Sequence, residues 1–129
     1  MIAVRYYSRS GNTKLVADAI AAAVGTQAVS VDASNAALAE TADVLFIGGA
    51  LYAYGLDGKL KSYLESLDAS KVKKAVVFST SWLSRHALDL IKKELSAKSI
   101  SVESETFYVK NRASEAQLQE AAAFAKKFA

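Results

Sequence analysis

The stretch IAVRYYSRSGNT, residues 2–13, decides the predicted fold because it joins a buried strand directly to a polar loop. In its first half, Ile2 to Tyr7, apolar residues run together as they do in strands covered on both faces. Helical periodicity begins just after the loop, with an apolar stripe from Leu15 to Val24 that Gly25 closes. Strand, polar loop and helix in this order predict the first unit of a parallel α/β sheet.

Further strands and helices alternate along the rest of the chain. Val44 to Ile47 and Ala75 to Phe78 are apolar runs that predict buried strands, and Ala28 to Val31 is a weaker one. Val102 to Val109 alternates in character and is typical of an edge strand. The segment Ala33 to Thr41 is compatible with a short helix or with a loop.

Three more amphipathic helices are predicted from apolar residues at helical spacing. Their stripes are Leu60, Leu64 and Leu67, then Leu88, Ile91 and Leu95, and finally Leu118, Ala121, Ala125 and Phe128. Asp57 is placed to cap the first of these helices, and Ser114 with Gln117 has capping-box spacing before the last. The chain is therefore predicted to form an α/β three-layer sandwich, with ligands bound at the carboxyl ends of its strands.

Length and composition bound the class of protein. The 129 residues, 52% of them apolar and 22% charged, predict one globular domain over residues 1–129. The absence of cysteine excludes disulfides, thiolate metal sites and iron–sulfur clusters, and no other metal-binding pattern occurs. Without a signal-peptide pattern or a membrane-spanning run, we expect a cytoplasmic protein with no membrane contact. The net charge of +3 is scattered among acidic residues, which argues against nucleic-acid binding.

The loop Ser8-Arg9-Ser10-Gly11-Asn12-Thr13 is the strongest candidate binding site. Hydroxyls, an amide side chain and unpaired backbone N–H groups would converge there at a helix N-terminus, which favours a phosphate. Gly11 allows the backbone to turn with positive φ. A plain strand-to-helix turn uses similar residues, but the loop's position between a buried strand and an amphipathic helix favours the binding site. It matches neither a Walker A loop nor a dinucleotide-binding fingerprint.

The sequence resembles the flavodoxin family in two places. YYSRSGNTKLVA, residues 6–17, resembles that family's first strand and phosphate loop, and DVLFIGGALY, residues 43–52, resembles its third strand and first flavin-flanking loop. The spacing of the elements matches over nearly the whole chain, as in short-chain members. The resemblance implies a five-stranded parallel sheet of order 2-1-3-4-5 and a bound flavin mononucleotide (FMN) whose phosphate lies in the loop at residues 8–13.

The resemblance also implies two loops that flank the isoalloxazine ring of FMN. These loops contribute Ala50, Leu51, Tyr52, Ala53 and Tyr54 after the third strand, and Ser79, Thr80, Ser81 and Trp82 after the fourth. Tyr52 and Trp82 are the expected stacking partners, because aromatic rings offer flat apolar surface. His86, the only histidine, is expected to be a surface or capping residue.

The predicted function is single-electron transfer between redox partner proteins by a monomer that has no catalytic residues of its own. Three alternatives stay open: an NAD(P)H-dependent FMN or quinone reductase, a flavoprotein that activates ribonucleotide reductase, and a non-redox binding module. The chain also departs from the family's usual pattern. Flavodoxins are usually acidic, whereas this chain carries net positive charge and places Arg9 and Lys14 beside the phosphate loop. Ala50 stands where the family often has proline. Together, these differences leave the redox partner undetermined.

Overall fold

The computed structural model describes residues 1–52, 55–82 and 84–129. Its strands and helices alternate over most of the chain, as the hydrophobic pattern predicts. The strands are β1 (Ile2–Tyr6), β2 (Ala28–Ser30), β3 (Val44–Gly49), β4 (Leu51–Tyr52), β5 (Gly55–Leu56), β6 (Ala75–Ser79) and β7 (Phe107–Tyr108). The helices are α1 (Asn12–Val24), α2 (Gly58–Ser66), α3 (His86–Ala97) and α4 (Glu115–Lys126), with a 3₁₀ turn at Ala69–Lys71.

Within the described residues, the main sheet has five parallel strands in the order β2-β1-β3-β6-β7. This is the predicted order 2-1-3-4-5, since β4 and β5 form a separate antiparallel hairpin. The fold prediction is therefore confirmed. Strand register aligns Tyr6 with Gly48, Gly49 with Ser79, and Ser79 with Tyr108. Consequently, the loops after β1, β3, β6 and β7 all leave the same edge of the sheet.

Helices cover both faces of the sheet and create two apolar cores. On one face, α1 and α4 pack over alternate sheet residues that include Val4, Phe46 and Phe78. On the other face, α2 and α3 pack over the intervening residues, such as Leu45 and Ile47. Strand residues point alternately to the two faces, so runs of apolar residues in β3 and β6 serve both cores.

The predicted helix ends follow local capping chemistry. The Asp57 carboxylate accepts the Lys59 N–H at the start of α2. Ser114 and Gln117 form a reciprocal capping box at the start of α4. Gly25 ends α1 with φ 76°, a left-handed conformation that glycine adopts without steric cost.

One predicted strand is more broken than expected, and one segment left open by the sequence is a loop. The strand predicted over Val102–Val109 pairs only through a bridge at Val102 and through Phe107–Tyr108. This segment lies at the sheet edge, and the exposed Ser104 and Glu105 between the paired parts bury no apolar surface. No helix forms in the region from Ala33 to Thr41, where the structure is fully described.

Side chains hold the turns in this segment, which the sequence left open as a short helix or a loop. Arg5 Nε and the Tyr63 hydroxyl both donate to the Ala36 carbonyl oxygen, at 2.7 and 2.6 Å. That carbonyl is therefore used by side chains rather than by a helical N–H. Arg5 and Tyr63 are both buried, so their bonds fix residues 31–38 against β1 and α2.

No helix in the described ranges is long and apolar enough to cross a membrane. Within the same ranges, no group of three or more histidine, aspartate or glutamate side chains is arranged to hold a metal ion.

Candidate functional site

The loops at the carboxyl edge of the sheet enclose an open cavity of about 120 Å³. Most of its lining comes from the three segments that the sequence singled out. The lining residues are Ser10, Asn12, Thr13, Ala50, Leu51, Tyr52, Thr80, Trp82 and Asn111. Chain segments that lie far apart in sequence therefore meet in one site, at the edge where parallel α/β sheets bind ligands.

The loop after β1 is folded in the manner that a phosphate site requires. Gly11 has φ 93° and occupies the N-cap position of α1, and its N–H donates to Ser8 Oγ at 2.9 Å. Among the described residues, the N–H groups of Thr13 and Lys14 in the first helical turn have no acceptor. These unpaired donors and the positive end of the helix dipole are suited to bind an anion.

A buried hydroxyl pair ties the phosphate loop to the loop after β6. Thr13 Oγ1 and Thr80 Oγ1 lie 2.6 Å apart, and both residues are nearly inaccessible to solvent. A hydrogen bond of this kind fixes the first turn of α1 relative to the end of β6. This bond therefore sets the spacing of the two loops.

We expect Thr80→Val to lower the free energy of unfolding by about 1–3 kcal/mol, because it leaves the buried Thr13 hydroxyl without its partner. The double variant Thr13→Val with Thr80→Val should lose less than the sum of the two single variants, since neither hydroxyl is then orphaned. Urea unfolding of the four proteins measures this coupling. Additive losses would show that the two hydroxyls do not interact.

Serine side chains connect the loop after β3 to the loop after β6. The Leu51 N–H donates to Ser81 Oγ at 2.9 Å, and Ser81 Oγ lies 3.1 Å from Ser79 Oγ. The Tyr108 hydroxyl donates to the Ser81 carbonyl oxygen at 2.6 Å. Ser79 and Ser81 are buried, so they position the two loops from beneath, whereas the Trp82 side chain is 58% exposed at the opening.

Arg9 forms a cluster with Tyr52 and Asp57. Its backbone N–H donates to the Tyr52 hydroxyl at 3.0 Å, and its guanidinium carbon lies 3.9 Å from the centre of the Tyr52 ring. Arg9 Nε donates to Asp57 Oδ2 at 2.9 Å, and a terminal guanidinium nitrogen bonds to the same oxygen. Lys14 is likewise paired, with Asp18 at 2.8 Å. Arg9 in the loop after β1 and Lys14 just after it are therefore each matched by a carboxylate.

The charge state of Asp57 reflects opposing influences. Its burial raises the pKa, but the Lys59 N–H and the Arg9 guanidinium lower it by more, so the pKa stays below its usual range. Burial raises the pKa of the Tyr52 hydroxyl, which is consequently protonated at neutral pH. The cluster thus contains one carboxylate, one guanidinium and one neutral phenol.

Because the folded-state pKa of Asp57 is lowered, its ionised form stabilises the fold above the unfolded-state pKa of about 3.9. This stabilisation disappears as pH falls through the folded-state pKa. Asp57→Asn keeps an acceptor for the Lys59 N–H but has no charge. We therefore expect wild type to be more stable than Asp57→Asn at pH 6 and to lose this advantage in acid. Urea unfolding at several pH values tests this, and a difference that does not change with pH would contradict it.

Asn111 is a site residue that the sequence analysis missed. It lies after β7 with φ 63°, and its Oδ1 accepts a hydrogen bond from Asn12 Nδ2 at 2.9 Å. Asparagine tolerates this left-handed conformation better than most residues. The predicted topology could have indicated Asn111, because the loop after the last parallel strand must leave the sheet at the ligand-binding edge.

The other predicted residues have different placements. Ala53 and Tyr54 lie outside the described residues. His86 begins α3, is exposed, and has its Nδ1 3.9 Å from Asp89. A larger cavity of about 380 Å³ lies elsewhere, between residues 31–38 and α2. None of the predicted site residues lines it, so cavity volume alone does not locate the candidate site.

The strand order defines a flavodoxin-like α/β fold. A family model described as a flavodoxin domain matches residues 3–125, and the chain belongs to the flavodoxin family. FMN is the cofactor of this family. A search of curated protein sequences found no match.

Solved structures show the same fold at low sequence identity. A flavodoxin from the domain Archaea is 21% identical, with a TM-score of 0.86 over 99% of this chain and 96% of that one. Oxidised flavodoxin 1 from Bacillus cereus is 20% identical, with a TM-score of 0.78 over 98% and 95%. The flavodiiron core of Flv1 from Synechocystis is 19% identical, with a TM-score of 0.81, but this chain spans only 34% of it.

Proposed function

We propose that this chain binds FMN without a covalent bond and carries single electrons between redox proteins. The observation that carries the proposal is the juxtaposition of unpaired N–H groups at the start of α1 with Tyr52 and Trp82 around one opening. A phosphate and a flat aromatic ring are the two parts of FMN that such a site would recognise. The flavin itself supplies the capacity to accept and release electrons one at a time.

The residues present fit this cofactor. Ser10, Asn12 and Thr13 line the cavity and would hold the phosphate together with the Thr13 and Lys14 N–H groups. Tyr52 and Trp82 would contact the ring, whereas the buried Ser79 and Ser81 would hold the loops that carry them.

Trp82 provides a direct test because it is the only tryptophan in the chain. Adding FMN to the cofactor-free protein should quench tryptophan fluorescence with one saturable site, as the flavin approaches the exposed indole. Tyr52→Leu removes one stacking contact with the flavin. We therefore expect it to weaken FMN binding by roughly 2–10-fold. The absorption spectrum gives an independent readout, and no binding at micromolar FMN would refute the proposal.

A second measurement separates the carrier from an NAD(P)H-dependent reductase. The FMN-loaded protein should not oxidise NADH or NADPH when a quinone is offered as acceptor. Sustained NAD(P)H oxidation with that acceptor would assign the chain to the reductases instead.

A further inference from the structure

Some cations around the opening pair with carboxylates, and others do not. On the α2 side, Arg9 pairs with Asp57, and Lys59 lies 3.7 Å from Asp32. On the opposite side, Arg85, Lys110 and Arg112 are exposed, and none has a carboxylate within 4.0 Å among the described residues. We call these three residues the basic rim. The exposed Asp89 and Glu115 lie in the first turns of α3 and α4, so the adjacent helices contribute some negative charge.

The basic rim borders the aromatic side chains of the site. Lys110 Nζ lies 5.1 Å from the centre of the Trp82 ring, and Arg85 Cζ lies 5.1 Å from that of Tyr108. Arg112 follows Asn111, which lines the cavity. The charges therefore lie beside the opening rather than on a remote face of the molecule.

An exposed aromatic residue lies in the same place. Trp82 and Met1 are the two large apolar residues that are exposed among those described, and Met1 is at the opposite edge of the sheet. Tryptophan and arginine are enriched among the residues that contribute most to protein–protein binding. A large aromatic residue framed by unmatched cations has the composition of a docking surface, with attraction for a negatively charged partner.

We propose that the basic rim and Trp82 dock a redox protein that presents an acidic surface. This rests on the proposed function, because it assigns the partner of the same FMN site. Cations beside the opening would steer an acidic protein toward Trp82, where the two redox centres come close. Such steering raises association rates and is weakened by salt.

The test uses a plant-type ferredoxin as an acidic one-electron donor and cytochrome c as a basic protein for comparison. In the measured reaction, one electron leaves the reduced iron–sulfur cluster and is accepted by the FMN-loaded chain. The rate is followed by stopped-flow absorbance at low and high ionic strength. With wild type, the rate should fall as salt is added.

The rim variant carries Arg85→Gln, Lys110→Gln and Arg112→Gln. Its charge-matched control carries Lys73→Gln, Lys93→Gln and Lys126→Gln. These lysines are exposed and lie toward the opposite edge of the sheet, and of the three only Lys73 has a carboxylate within 4.0 Å among the described residues, Asp43 at 3.2 Å. At low salt, the rim variant should accept electrons from ferredoxin about tenfold more slowly than wild type. The control should change by less than twofold, and both variants should bind FMN as wild type does.

Three results with protein partners would overturn the proposal. These are equal rates for wild type and rim variant, a rate that rises with salt, and cytochrome c binding more tightly than ferredoxin. Tighter binding of a single-stranded oligonucleotide than of ferredoxin at equal salt would also overturn it, by assigning the basic rim to nucleic acid.

Failure of FMN to bind wild type would refute the proposed function separately. In that case, calorimetry of oxidised ferredoxin with the FMN-free chain still tests whether the basic rim binds an acidic protein. Salt-sensitive binding that is lost in the rim variant supports the surface, and absence of binding refutes it.

Discussion

Gly11→Val is expected to weaken FMN binding by about a hundredfold, which corresponds to about 2.7 kcal/mol. Gly11 has φ 93°, a conformation that a β-branched residue adopts only with considerable strain. Relief of this strain would turn the first N–H groups of α1 away from the phosphate and break the bond from the Gly11 N–H to Ser8 Oγ. Charge-assisted hydrogen bonds are worth about 1.5–3 kcal/mol each, so the loss of two accounts for the effect.

Gly25→Val is the matched control for this prediction. Gly25 lies at the other end of α1 with φ 76°, and a Cβ atom at either glycine would meet no other atom within 4 Å. Both variants should therefore lose comparable stability through backbone strain, but only Gly11→Val should lose FMN. Riboflavin, which lacks the phosphate, should bind Gly11→Val and wild type equally. Equal FMN affinity in Gly11→Val and wild type would exclude the phosphate assignment.

Gly48→Ala is expected to lower the free energy of unfolding by about 3 kcal/mol, the upper part of the range for overpacked cores. A Cβ atom at Gly48 would lie 2.6 Å from Phe78 Cζ and closer still to two other carbons of that ring. The Phe78 ring is fully buried between the sheet and the helices α1 and α4, so it has little room to shift. Urea unfolding measures the loss.

Removing part of the ring should relieve the clash. In a Phe78→Leu background, Gly48→Ala should cost much less than in wild type, which would appear as a coupling energy between the two sites. Gly58→Ala is the control, because a Cβ atom there meets nothing within 4 Å and the residue begins a helix. An equal cost of Gly48→Ala in both backgrounds would show that Phe78 is not the obstacle.

Local patterns predicted much of this fold because their causes are local. The apolar runs at Val44–Ile47 and Ala75–Phe78 need both faces covered, and β3 and β6 form there. Asp57 caps its own helix, and Ser114 pairs with a residue three positions away. The family resemblance supplied the strand order, which these short-range patterns do not contain.

Contacts between residues that lie far apart in sequence could not be predicted from local patterns. Gly48 is small because of Phe78, thirty residues further along the chain, and no local pattern shows that distance. The partner of Arg9 is Asp57, whose sequence signal is that of a helix cap. Because the sequence does not show this ion pair, it left the positive charge of Arg9 without a partner. Asn111 reaches Asn12 across 99 positions and depends wholly on the sheet order.

The hydrogen bonds that assemble the site join residues 67 and 99 positions apart, from Thr13 to Thr80 and from Asn12 to Asn111. An unfolded chain cannot hold those residues together, so FMN should bind the native state and not the unfolded one. By mass action, FMN at a hundred times its Kd would add about 2.7 kcal/mol to native stability. In a cell short of flavin, we therefore expect less of the chain to be folded and more of it to be lost to proteases.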